Sequence, residues 1–201
     1  ESLKSARMDD TPDIIRQMAP YRYWVNSLLR DWEFKLGSGA PDEQYRKVRD
    51  QTLISMALLP DHPEELKACV SYLYFSNPED LGVWVECLRP HRDQLIPEFW
   101  ATVEDPATSS SKVIVASAVL AEYDPRSSRW DRNAQKVAES LIKSRRDEEA
   151  QVSYGYLGYL RPIESKVEKA LFHIYRNAKS AEEKARAEEY LTRLYVEADL
   201  K

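Results

Sequence analysis

The stretch from Leu81 to Trp100 constrains this chain most. Its apolar residues Leu81, Val83, Trp84, Val85 and Leu88 read as a short helix ending at Arg89. Pro90 removes a backbone donor and fixes φ, so the chain turns there. A second helix is expected from that corner to about Glu104. Nowhere does the chain alternate polar and apolar residues long enough to build a sheet. Eleven prolines against five glycines point the same way, to helices punctuated by proline. The fold class is all-α.

The corner recurs. Leu88-Arg89-Pro90 falls on Leu160-Arg161-Pro162, 72 residues later. Trp84 and Val85 fall on Tyr156 and Leu157, Leu95 on Val167, Phe99 on Leu171, and Val119 on Leu191. A weaker copy lies 70 residues upstream, where Pro20, Arg22, Val25 and Leu29 match Pro90, Arg92, Leu95 and Phe99. This spacing predicts an α-solenoid of HEAT or armadillo type, with about eleven helices in three units of about 70 residues. The units are expected at 11–76, 77–146 and 147–201, the last incomplete, in one domain that follows a frayed lead-in over 1–10. In such a fold each helix pair exposes apolar surface that only its neighbour covers.

Local signals fill in the frame. Thr11 reads as an N-cap with Pro12 at the first helical position. Trp24, Val25, Leu28, Leu29 and Trp32 form one helical stripe, and 37–41 reads as a flexible linker. The apolar run Val113–Ala121, broken only by Ser117, reads as helix because of its length and alanines. Ser109, Ser110 and Ser111 are expected to cap that helix near Lys112. Further helices are expected at 148–161, 163–178 and 180–199.

The net charge of −5 is not evenly spread. Residues 61–144 carry nine basic and fourteen acidic side chains, while the two flanking segments balance. An acidic middle disfavours nucleic acid, the alternative that some HEAT-like folds would allow. Cys69 and Cys87 make no disulfide framework and no C-x-x-C motif, which suits a reducing, cytoplasmic setting. No apolar run approaches the ~20 residues that span a bilayer, so membrane insertion is not expected. Opening on Glu1, the chain reads as a segment of a longer polypeptide.

Chemistry-bearing patterns are sparse. His62, His91 and His173 share no partner pattern. Cys87 and His91 have metal-ligand spacing, but Pro90 interrupts the helix between them. Gly-rich phosphate loops, G-x-S-x-G and H-E-x-x-H are absent from the sequence. No catalytic, cofactor-binding or metal-binding residue is assigned, and no cofactor is expected. The aromatic residues say more: five tryptophans and twelve tyrosines exceed what a minimal core needs. Tyr, Trp and Arg dominate interface hot spots. Trp84, Arg89, Tyr154, Tyr156 and Arg161 are therefore the candidate partner-binding residues, facing a protein or peptide.

Asn77 to Pro97, together with Val119–Trp130 and Val137–Ile142, resembles a helical segment of large planctomycete-type bacterial proteins. Those proteins carry a serine/threonine kinase domain or a formylglycine-generating-enzyme-like (sulfatase-modifying factor) domain. The similarity covers roughly 60–145. It implies a HEAT-like region between catalytic domains, whose partners include domains of the same polypeptide. No H-R-D, D-F-G or Gly-rich loop lies in these residues, so the resemblance implies a scaffolding or regulatory role and no kinase activity.

Overall fold

The fold is that of a computed structural model, which describes residues 3, 7–36, 44–143 and 154–199. The described residues are helical, with no strand among them. The expected linker at 37–41 and residues 148–153 of the helix expected at 148–161 lie outside them.

Five prolines sit in 3-10 turns ahead of helices, while Pro97 lies inside the helix Arg92–Glu104. Pro20 sits in a 3-10 turn, Ala19–Tyr21, Pro90 in another, Arg89–His91, and Pro162 in a longer one, Leu157–Ile163. An α-helix follows each, beginning at Arg22, Arg92 and Glu164. Pro63 and Pro78 open similar 3-10 turns ahead of helices at Leu66 and Leu81. A missing N–H costs nothing where the first turn has no intrahelical acceptor, and the fixed φ already suits a helix. The recurrence read at 20, 90 and 162 is thus a recurrence of local geometry.

By its contacts the chain divides into two compact units. Unit 1 holds residues 1–76 and 80–88, and unit 2 holds 77–79 and 89–201. The helix before Pro90 therefore belongs to one unit and the helix after it to the other.

Unit 1 contains α1 (Thr11–Met18), α2 (Arg22–Leu36), α3 (Gln44–Leu58), α4 (Leu66–Leu73) and α5 (Leu81–Leu88). Leu29 of α2 packs with Leu53, Ile54, Ala57 and Leu58 of α3, and Ile14, Ile15, Val25 and Trp32 close over them. Leu3 and Met8 join this core, so the region read as a frayed lead-in contributes to packing. Thr11 is buried and its hydroxyl donates to the Arg7 carbonyl (3.2 Å) instead of capping α1. A polar face of α2 is laid along the end of α3 and the turn beyond it. Arg22 donates to the Ala57 carbonyl, Asn26 to Asp61 (2.8 Å) and Arg30 to Glu65 (2.7 Å). Residues four apart share a helix face, and here residues four apart meet partners also four apart.

Unit 2 contains α6 (Arg92–Glu104), α7 (Ser110–Tyr123), α8 (Trp130–Lys143), the Leu157–Ile163 turn, α9 (Glu164–Asn177) and α10 (Ala181–Asp199). Each helix packs on the next one present, and α6 also touches α8 while α8 touches α10. From Val113 to Ala121 every residue of α7 is buried. A helix apolar on all sides must be covered on all sides, and α6, α8 and the Leu157–Ile163 turn cover it. The helix reading of this run holds. Ser109 occupies the N-cap position, but its hydroxyl makes no capping bond and lies 3.3 Å from that of Ser111.

Basic side chains from other helices close the ends of several helices. Arg22 reaches the Ala57 carbonyl near the end of α3, Lys136 that of Asp105 (2.6 Å) and Arg186 that of Ile142 (2.9 Å). The last carbonyls of a helix lack intrahelical donors and carry the negative end of its dipole, so a cation satisfies both needs.

Within unit 2, Gly155 meets Pro78 closely: an added Cβ would sit 2.6 Å from the proline Cβ and 2.7 Å from its Cγ. A pyrrolidine ring cannot swing away. Gly155→Ala is expected to destabilise unit 2 by about 1–3 kcal/mol through overpacking. Gly158→Ala, where an added Cβ has nothing within 4 Å, is expected to be near neutral. Urea unfolding of the two variants checks the contrast.

Candidate functional site

Two of the five residues expected to bind a partner are buried, two are half-buried and one is exposed. Trp84 is 1% exposed and Tyr156 3% exposed, which makes both part of the interior. Their rings fall on the apolar side of short helical segments whose neighbours Leu81, Val85, Leu88, Leu157 and Leu160 are buried as well. Tyr154 is half-buried, and the Arg193 guanidinium lies 3.8 Å from its ring centroid. On another side its ring meets that of Tyr190 at 4.9 Å. Burial pushes the Tyr154 phenol up to about 12, and the hydrogen bond and negative charge of Glu189 act in the same direction. Arg89 is exposed and Arg161 half-buried. Trp84 belongs to unit 1, the other four residues to unit 2.

An open surface lies on α2 and the turn just before it. Tyr21 is 63% exposed, Tyr23 84%, Trp24 71% and Leu28 68%. Tyr21, Trp24 and Leu28 have i, i+3, i+7 spacing and form one stripe, and Tyr23 adds to it by an edge-on ring contact with Trp24 at 5.2 Å. The sequence places Trp24, Val25, Leu28, Leu29 and Trp32 on a single helical stripe. The structure divides that stripe. Val25, Leu29 and Trp32 turn to the core, whereas Trp24 and Leu28 form an outer edge. The missed signal was width: with Tyr21, the apolar arc is broader than α3 alone can cover.

One cleft of about 300 Å³ opens in unit 2 between α8, α9 and the start of α10. Glu139, Lys143, His173, Asn177, Lys179 and Glu183 line it above Ile142 and Ile174. Its polar groups are partly engaged with one another. Lys143 pairs with Glu139 (3.3 Å), Asn177 donates to the His173 carbonyl (2.8 Å), and Glu183 accepts the Lys179 backbone N–H (2.7 Å). The Ser180 hydroxyl accepts the Glu183 N–H (3.1 Å), an N-cap bond at the start of α10.

Among the described residues no group of three or more His, Cys, Asp or Glu is arranged to hold a metal. Burial pushes the Cys69 thiol up to about 12 and that of Cys87 to about 11, so neither supplies a thiolate at neutral pH. No described helix is long and apolar enough to cross a membrane. No family model matches the chain, and no curated protein or solved structure matches it significantly.

The two kinds of aromatic residue predict opposite results. Tyr156→Ala is expected to cost about 3–5 kcal/mol, as for other large buried rings. Trp24→Ala is expected to change stability by no more than about 0.5 kcal/mol. Thermal or denaturant unfolding measures both. A small effect at Tyr156 would contradict its place in the core.

Proposed function

We propose that this chain is a non-catalytic protein-interaction module that works through the Tyr21–Tyr23–Trp24–Leu28 surface of unit 1. The observation that carries this reading is the exposure of three aromatic rings and a leucine side by side. Together they leave on the order of 500 Å² of side-chain surface uncovered, the size of the largest patch on a typical monomer, which is often functional. Tyr and Trp are suited to such a role because they bring large contact area with few rotamers to freeze.

The architecture proposed is a HEAT- or armadillo-type helical repeat, acting as a scaffold or regulatory segment within a larger bacterial protein of planctomycete type. Support comes from the neighbour-to-neighbour packing of α6 through α10 and from the proline turns recurring at 20, 90 and 162. Arg89 and Arg161, each beside a corner proline, remain candidates for contact at the rim of such a scaffold.

A photo-activatable phenylalanine analogue placed at Tyr23 tests the binding role in cells. Irradiation is expected to yield a covalent adduct with protein, lost when Trp24 and Leu28 are also replaced by Asp. Adducts with nucleic acid alone, or none, would contradict the reading.

A further inference from the structure

We draw no further inference here: the strongest candidate, the cleft of about 300 Å³ between α8, α9 and the start of α10, is lined by polar side chains none of which is buried and several of which are bonded to one another, and nothing in the structure points to a ligand for it.

Discussion

Two indoles converge on Asp124, and the packing of unit 2 depends on that contact. Trp100 Nε1–H donates to the Asp124 carboxylate (2.9 Å), and Trp130 Nε1–H donates to the Asp124 backbone carbonyl (2.9 Å). The two rings meet at 4.6 Å, and the Arg129 guanidinium stands 5.7 Å from the centroid of Trp100. Both indoles are buried, so each N–H would cost about 1–3 kcal/mol if left unpaired. One residue just beyond the end of α7 thus supplies acceptors to α6 on one side and α8 on the other. That fixes how the two helices approach α7, whose Val113–Ala121 segment has no face left to show to water.

Not every buried polar atom is served this way. The Ser117 hydroxyl, in the middle of α7, and the Trp84 indole N–H, in α5 of unit 1, are buried without a hydrogen-bond partner. Neither lines the cleft between α8, α9 and α10. Both fit positions where shape outweighs a lost hydrogen bond: a small residue between closely packed helices at 117, and a large ring filling volume at 84.

The helices were legible because proline and apolar periodicity are local signals. Pro20, Pro90 and Pro162 each mark a turn within two residues of a helix start, whatever the tertiary surroundings. The Val113–Ala121 run was legible as helix for its length and its alanines. Trp84 and Tyr156 show where local reading stops. An aromatic residue beside an arginine has the same sequence signature in a core as at an interface, and only the packing of its neighbours decides. Trp24 and Leu28 err the other way: they keep the period of a core stripe, but α3 is not wide enough to cover them. Leu3 and Met8 are a related case: they are isolated apolar residues, and their packing depends on a distant helix pair.

The aromatic residues divide into those that hold the fold and those that stand open, and the five tryptophans report on both. Trp84, Trp100 and Trp130 are interior, Trp32 is partly covered and Trp24 is open. Hydroxyl-radical footprinting of the isolated chain, kept dilute, with oxidation read tryptophan by tryptophan, measures this division directly. Trp24 should oxidise fastest by roughly tenfold or more over the three interior rings, as side-chain oxidation follows solvent access, with Trp32 between. Equal protection of Trp24 and Trp84 would contradict the account, because the surface assigned to a partner would then be part of the core.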